Sequence, residues 1–259
     1  MNTFQTKSIF IDSDPRINRP DEISYRVTTE FMQKRHDIFF ELLNLKNTRV
    51  LDVGCCVAAS GAYVLDQGAD YYLGIEYQSD LVELAKSNLS KFYSQKKWNI
   101  VHDSFENFDT QHKFDLVIAS GIIYTGVDII SSLKKLAAWG DYILIDAIHP
   151  DLAWMSDKKD PRPYEQQESF VALQTKSMFK NGQFPGVIYR SAYPSYRYCL
   201  EIMQSFNFKY HDINKKLEQE LPKQYHCRNR YAILFEKSDS VEHDLGYVKT
   251  IEQNHDMEI

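Results

Sequence analysis

Five short apolar segments alternate with helical segments between residues 46 and 148, and this alternation limits the fold more than any other feature of the chain. The apolar segments are RVLDVG, DYYLGIE, WNIVHDS, FDLVIAS and DYILIDAI. Strands that alternate with helices require a parallel sheet with right-handed crossovers. The sequence therefore predicts an α/β fold.

The helical segments between these strands are amphipathic, and SDLVELAKSNLSKFYSQ shows the pattern well. Ser79 or Asp80 is predicted to be its N-cap, because short polar side chains accept from the free N–H groups of the first turn. Its apolar face is predicted to consist of Leu81, Ala85, Leu89 and Phe92. AASGAYVLDQG is predicted to be a helix that ends at Gly68, and VDIISSLKKLAAWG one that ends near Gly140.

The segments on either side of this alternation predict a cap, an insertion and a closing strand pair. One or two helices are predicted at 24–45, and the region from 149 to 193 is too long for a plain connection, so it predicts a lid or substrate insertion. SYRYCLEIMQSFNF then predicts a helix, and KYHDIN and RYAILFEK predict two strands that pair antiparallel at a sheet edge, joined through a polar stretch. The predicted units are 1–45, 46–148, 149–193, 194–237 and an acidic tail, 238–259.

Composition argues against several classes of function. Of the net charge of −6, the segment from Ser238 onward contributes −5, so the rest of the chain has a charge of −1 and lacks the basic excess typical of nucleic-acid binding. The four cysteines match no zinc or disulfide framework. We expect no signal peptide, no membrane span and no metal site, and a reducing, cytoplasmic location; the sequence gives no oligomeric state.

Polar or small residues follow each of the first four predicted strands, where ligands bind in open parallel sheets. Gly54 lets a ligand approach the backbone, and Glu76 suits the two hydroxyls of a ribose. Asp103 can accept from an exocyclic amine, and Tyr77 or Phe105 can stack on an adenine ring. The whole predicted cofactor set is Asp52, Gly54, Cys55, Glu76, Tyr77, Asp103, Ser104, Phe105 and Ser120.

Together these segments resemble the class I S-adenosylmethionine-dependent methyltransferases. The resemblance is carried by VLDVGCCVAASG, LGIEYQSDLVELAK, VHDSFENF, FDLVIASGIIY and GDYILIDAIHP, and it covers residues 45–150 well. It implies a Rossmann-like, doubly wound, mostly parallel seven-stranded sheet with an antiparallel C-terminal hairpin and a helical cap. It also implies S-adenosyl-L-methionine as the cofactor.

The loop VLDVGCCVAASG departs from the family's Asp-x-Gly-x-Gly-x-Gly pattern, because Cys56 and Ala58 replace two glycines. Both replacements are small, so close approach is retained if φ stays negative there, and the thiols of Cys55 and Cys56 are predicted to be packing groups. A dinucleotide would place its pyrophosphate on the following helix. S-adenosylmethionine has no phosphate, so the departure argues against NAD more strongly.

Further residues are candidates for catalysis and acceptor binding. In the family the loop that contains Tyr124 faces the transferred methyl, and His149 is a candidate general base. The predicted substrate-binding residues are Tyr25, Arg26, Arg190, Tyr193 and Tyr196, with arginine suited to clamping a carboxylate.

We therefore expect an enzyme that methylates a small-molecule acceptor by in-line displacement in an enclosed site. Three alternatives stay open. A cyclase or lyase would use the same cofactor to give methylthioadenosine and a cyclic amino acid. A tRNA wobble-uridine-modifying transferase is suggested by the similarity of FDLVIASGIIYTGVDIISSLKKL and YPSYRYCLEIMQSFNF to that branch. A degenerate scaffold would bind the cofactor without turnover.

Overall fold

The computed structural model describes residues 29–124, 128–148, 169, 171–177, 188–221 and 230–238. The described helices are α1 (Thr29–Phe40), α2 (Ala59–Asp66), α3 (Ser79–Ser90), α4 (Ile129–Trp139), α5 (Tyr196–Ser205) and α6 (Asn214–Glu220). The described strands are β1 (Arg49–Val53), β2 (Tyr71–Glu76), β3 (Trp98–His102), β4 (Phe114–Ser120), β5 (Gly140–Ile148), β6 (Val171–Ser177), β7 (Ile188–Pro194), β8 (Phe208–Asp212) and β9 (Arg230–Lys237). Tyr25, Arg26 and His149 lie outside the described residues.

Seven strands form one sheet in the order β3-β2-β1-β4-β5-β9-β8. β1 to β5 run parallel, whereas β9 is antiparallel to both β5 and β8. The predicted fold, with its C-terminal antiparallel pair, is therefore confirmed. The strand order reverses at β1, which lies between β2 and β4, and ligands bind at such a switch point in open α/β sheets.

Helices cover both faces of this sheet because successive side chains of each strand point to opposite faces. Val50 and Leu116 face a core that includes side chains of α1, α2, α3 and α6. Leu51 and Val117, one residue further along each strand, face a second core that includes side chains of α4 and α5. All four side chains are buried, which explains why these strands appear in the sequence as continuous apolar runs.

The observed helices differ from those predicted from the sequence in three places. α3 has Gln78 as its N-cap, without a side-chain bond, so the prediction of Ser79 or Asp80 is wrong; Asp80 lies in the first turn, where its charge favours the helix dipole. Phe92 lies beyond the last residue of α3 and is 41% exposed, so it does not extend the buried face. α6 occupies part of the stretch that the sequence interprets as a polar connection.

Part of the region from 149 to 193 forms a separate two-stranded sheet, in which β6 and β7 pair antiparallel. Arg190 pairs with Thr175 in this hairpin, and Tyr193 lies at its end, next to α5. The hairpin is consistent with an insertion between β5 and α5. Within the described part of the chain, no helix is both long and apolar enough to cross a membrane.

Candidate functional site

The loop after β1 has the backbone shape of a glycine loop, although it contains only one glycine. φ is 73° at Gly54, 51° at Cys56 and 62° at Ala58. The condition of negative φ at Cys56 and Ala58 is therefore not met. The backbone of each residue lies in the left-handed region, at a cost of about 1–2 kcal/mol per residue. The loop is held by neighbouring backbone: Gly54 and Cys55 both donate to the Ile75 carbonyl at 2.9 Å.

The position of the Ile122 side chain, in the loop after β4, also favours glycine at position 54. A Cβ added there would lie 3.1 Å from Cδ1 of Ile122, closer than side chains normally pack. The absence of a side chain at Gly54 therefore lets the Ile122 side chain pack directly against the β1 loop.

Glu76 is the last residue of β2, and its carboxylate holds the β1 loop in place by a hydrogen bond. Its carboxylate is 5% exposed, and Oε2 accepts from the Cys56 amide at 3.0 Å. Oε1 accepts from the amides of Tyr77 and Gln78, each at 3.0 Å. A carboxylate offers about four acceptor positions, so these three bonds leave about one for a ligand hydroxyl.

Asp52 lies on β1, and its buried carboxyl accepts from the Tyr72 hydroxyl at 2.9 Å. Burial raises the pKa of Asp52 to about 7, with a further upward contribution from Glu76, while the Tyr72 bond and the Arg35 charge oppose the rise. The Asp52 side chain therefore links β1 to Tyr72 of β2.

Cys55 packs against the neighbouring strand. A Cβ at Gly74 would come within 2.7 Å of Cys55 Sγ, so Gly74 makes room for the thiol. Burial raises the pKa of Cys55 well above its usual value. The thiol is therefore protonated and unreactive, consistent with a packing group.

The residues after β3 separate into exposed and buried groups. Tyr77, on the neighbouring β2 loop, is 63% exposed, whereas the Phe105 ring is buried against Trp139 with ring centroids 6.0 Å apart. Asp103 accepts from the Ser104 amide at 2.8 Å, and Ser104 Oγ accepts from the Asn107 amide. Of the two candidate stacking rings, only Tyr77 presents an accessible surface.

A second polar cluster lies at the carboxyl ends of β4 and β5. Asp146 on β5 is fully buried, and its Oδ2 accepts from Nη2 of Arg35 at 2.5 Å and of Arg230 at 2.6 Å. Ser120 Oγ donates to the same oxygen at 2.9 Å and accepts from Arg35. Asp146 remains ionised, because the charges of Arg230 and Arg35 outweigh its burial and lower its pKa to about 2.

Two tyrosines border this cluster. The rings of Tyr124 and Tyr193 stack at 5.3 Å between centroids and 15° between planes, which joins the β4 loop to the end of β7. Burial raises the pKa of Tyr124, although Arg230 opposes the rise, so the phenol stays protonated at neutral pH. Tyr196 is fully buried in the core against Tyr231, and the side chain of Arg190 is not among those described.

The sequence singled out Ser120, Tyr124 and Tyr193 but missed the three charged residues between them. Arg35 and Asp146 are 111 positions apart, and Arg230 and Asp146 are 84 apart, so local patterns cannot pair them. One signal was present: Asp146 interrupts the apolar strand DYILIDAI near its carboxyl end. Among the described residues, no three His, Cys, Asp or Glu side chains are placed to hold a metal ion.

Comparison with known proteins gives the family. A family model described as a methyltransferase domain matches residues 44–230, which is most of the chain. No curated protein matches the chain by sequence.

Solved structures share the fold at low identity. An S-adenosylmethionine-dependent methyltransferase from Mesorhizobium loti is 13% identical with a TM-score of 0.53, over 80% of this chain and 95% of that one. Magnesium protoporphyrin IX methyltransferase from Synechocystis PCC 6803, with bound SAH, is 14% identical with a TM-score of 0.56, over 90% and 96%. The glycopeptide N-methyltransferase MtfA, complexed with S-adenosyl-L-methionine, is 8% identical with a TM-score of 0.53, over 79% and 93%. The chain therefore belongs to the methyltransferase domain family, and it is an S-adenosylmethionine-dependent methyltransferase with a Rossmann-like fold.

Proposed function

We propose that this enzyme methylates a small-molecule acceptor in an enclosed site at the carboxyl ends of β1, β4 and β5. One observation carries the proposal. Arg35 of α1 bonds to Ser120 on β4 and to Asp146 on β5, near the carboxyl ends of both strands. α1 therefore covers these strand ends on one side. A walled site beside the switch point suits a compact acceptor better than a polymer.

The cofactor cradle of this proposal consists of the β1 loop and the end of β2. Gly54 supplies the close backbone approach, and the remaining acceptor position of Glu76 takes a ribose hydroxyl. Tyr77 supplies an exposed ring for the adenine, with Asp103 and Ser104 beside it, while Asp52, Cys55 and Phe105 shape the cradle from within the core. When bound, S-adenosylmethionine supplies a methyl group on a positively charged sulfur.

Glu76→Ala tests this cradle. We expect the affinity for S-adenosylhomocysteine to fall about tenfold to hundredfold, because a charge-assisted hydrogen bond of about 1.5–3 kcal/mol is lost. The free energy of unfolding should fall too, since three backbone N–H groups lose their acceptor. Calorimetry and urea unfolding measure the two effects, and Glu83→Ala, at an exposed position of α3, is the matched control. Unchanged affinity in Glu76→Ala would place the ribose elsewhere.

Tyr124 acts in this proposal as a positioning donor. Its raised pKa keeps the hydroxyl protonated, so it donates to an oxygen of the acceptor and does not remove a proton. The Tyr193 stack fixes the ring in place. His149 stays a proposed general base for acceptors that arrive protonated.

Turnover tests the reaction itself. Enzyme, methyl-labelled S-adenosylmethionine and a metabolite extract should give a labelled small molecule and S-adenosylhomocysteine. Tyr124→Phe keeps the stacked ring but removes the donor, so we expect kcat to fall about tenfold or more with unchanged S-adenosylhomocysteine affinity. Methylthioadenosine formed from the cofactor alone, above the rate without enzyme, would contradict methyl transfer and favour the cyclase or lyase.

A further inference from the structure

The loop after β3 contains a single helical turn that joins the adenine side of the proposed cofactor cradle to α4. The turn spans residues 104–108, and its closing bond runs from the Phe108 amide to the Ser104 carbonyl at 2.9 Å. A single turn fixes several residues for one backbone hydrogen bond, so it is unfavourable by itself. Its shape therefore depends on the side chains that satisfy its two ends.

Side chains of the loop itself satisfy the start of the turn. Asp103 Oδ1 accepts from the Ser104 amide at 2.8 Å, and Ser104 Oγ accepts from the Asn107 amide at 3.2 Å. The Asp103 amide donates to the Glu76 carbonyl at 3.0 Å, which attaches the turn to the end of β2. Asp103 and Ser104 therefore lie beside the proposed cofactor cradle.

A lysine of α4 satisfies the end of the turn. Lys135 Nζ donates to the Glu106 carbonyl at 2.5 Å. The same Nζ lies 3.3 Å from the Phe108 carbonyl oxygen and 3.4 Å from that of Phe105. An ammonium has three N–H donors, and lysine is favoured where the last carbonyls of a helix point outward. Lys135 thus caps the turn from another element of the fold.

The aromatic rings of the turn pack on the same helix. Phe105 and Phe108 both approach Trp139 edge to face, with ring centroids 6.0 Å and 5.6 Å from that of the tryptophan. Trp139 follows Lys135 by four residues on α4, and its ring centroid lies 5.9 Å from Nζ. Trp139 therefore holds the side chains of the turn, while Lys135 holds its carbonyl groups.

We propose that Lys135 is a positioning residue for the adenine of S-adenosylmethionine and acts through the turn that follows Asp103. This inference rests on the cofactor cradle of the proposed function and names the residue that holds its adenine side. Asp103 Oδ1 is bonded to the Ser104 amide, so the direction of the carboxylate is set by the turn. Oδ2 then accepts from the exocyclic amine of the base.

Removal of the ammonium should change the direction of this carboxylate more than the fold. Three carbonyl groups would lose their donor, so the turn would no longer be capped at its end. The rings of Phe105 and Phe108 would still pack on Trp139. Hydrogen bonds to an ionised carboxylate are strong but depend on geometry, so the loss should appear in recognition of the base.

The preference for adenine over hypoxanthine tests the inference, and it needs no methyl acceptor. Calorimetry compares S-adenosylhomocysteine with S-inosylhomocysteine, in which a carbonyl replaces the exocyclic amine. The wild type should bind S-adenosylhomocysteine about tenfold or more tightly, because the analogue lacks a charge-assisted hydrogen bond. In Lys135→Met, which keeps the apolar stem, this preference should fall about fivefold, because the carboxylate is no longer positioned. Lys134→Met, at an exposed position of the same helix, should keep the preference of the wild type.

Two further variants separate positioning from a general loss of structure. Lys135→Arg retains a cation with several donors, so it should keep most of the preference. Asp103→Ala removes the carboxylate, so the addition of Lys135→Met should change the preference no further. Urea unfolding measures the stability of each variant, which a purely structural role of Lys135 would lower without changing the preference.

Four results would overturn the inference. One is equal binding of the two ligands by the wild type, and another is an unchanged preference in Lys135→Met, even if both affinities fall together. The third is a loss in Lys135→Arg as large as that in Lys135→Met, and the fourth is a further loss when Lys135→Met is added to Asp103→Ala. Methylthioadenosine released from the cofactor alone would instead refute the proposed function and leave the role of Lys135 intact.

Discussion

Two buried aspartates in the same sheet have opposite electrostatic environments. Asp52 has one hydroxyl donor and no direct ion pair among the described residues, so burial dominates and its pKa is raised to about 7. Asp146 bonds to two guanidiniums and a serine, so its pKa is lowered to about 2 despite complete burial. The charges of the partners, more than the depth of burial, decide which carboxyl is ionised at neutral pH.

These shifts predict how stability depends on pH. The folded protein holds the Asp52 proton more tightly than the unfolded chain, so this stabilisation is complete below about pH 4 and is lost as pH rises to about 7. One pKa unit corresponds to 1.36 kcal/mol, so the full effect is at most about 4 kcal/mol. The contribution of Asp146 to stability has the opposite pH dependence, because its pKa is lowered in the folded protein. This contribution is present above about pH 4 and is lost as pH falls toward 2.

Asp52→Asn isolates the first of these effects. The amide oxygen can still accept from Tyr72, but no proton is bound or released in this window. The free energy of unfolding of the variant, relative to wild type, should therefore rise between about pH 4 and pH 8, and the loss of stability toward pH 2 should remain. Urea unfolding across this range measures it, with Asp70→Asn, at an exposed ion pair, as the control. A constant difference between variant and wild type would show that Asp52 titrates normally.

At the scale of the elements, the β1 loop keeps a glycine-loop backbone after losing two glycines. Ala58 has φ of 62° and precedes α2, and its methyl is fully buried. The Cys56 amide bond to Glu76 and the Ala58 amide bond to the Cys55 carbonyl, at 2.8 Å, help hold this shape. The surrounding sheet thus compensates for strain that glycine would avoid.

Ala58→Gly measures that strain. The variant loses a buried methyl but gains a residue suited to positive φ, whereas Ala85→Gly loses an equally buried methyl inside α3, where φ is helical. We expect Ala58→Gly to cost less stability than Ala85→Gly by about 2–3 kcal/mol, because it removes the penalty of the left-handed region, about 1–2 kcal/mol, while Ala85→Gly adds the cost of glycine inside a helix, about 1 kcal/mol. Urea unfolding of the two variants gives the difference. Equal costs would mean that Ala58 is unstrained.

Local sequence patterns predicted the elements better than the site. The apolar runs around Val50 and Leu116 are strands because both faces of the sheet are covered, and the antiparallel end was predicted from two short strands. Positive φ at Cys56 could not be predicted, because it depends on an acceptor from β2. The Arg35–Asp146 pair depends on α1 packing near the carboxyl end of β5. This is a tertiary contact, which local sequence patterns do not predict.

For the whole molecule, the distribution of charge restricts the partners. The chain has a net charge of −6, of which the segment from Ser238 onward contributes −5, so the remainder has a charge of −1. A remainder so close to neutral offers little attraction to the many phosphates of a nucleic acid.

We therefore expect no specific binding of tRNA. A protein that neutralises several phosphates loses affinity steeply between about 50 and 200 mM salt, because each contact releases counterions. Filter binding with total tRNA should show weak retention without such a slope. A chain ending at Ser238 lacks all six acids of the tail, so it tests whether the tail repels RNA from an otherwise competent surface. Weak, flat binding by both chains would support the small-molecule acceptor. A steep salt slope in either chain would instead favour an RNA acceptor, and in the shortened chain alone it would make the tail an electrostatic barrier to RNA.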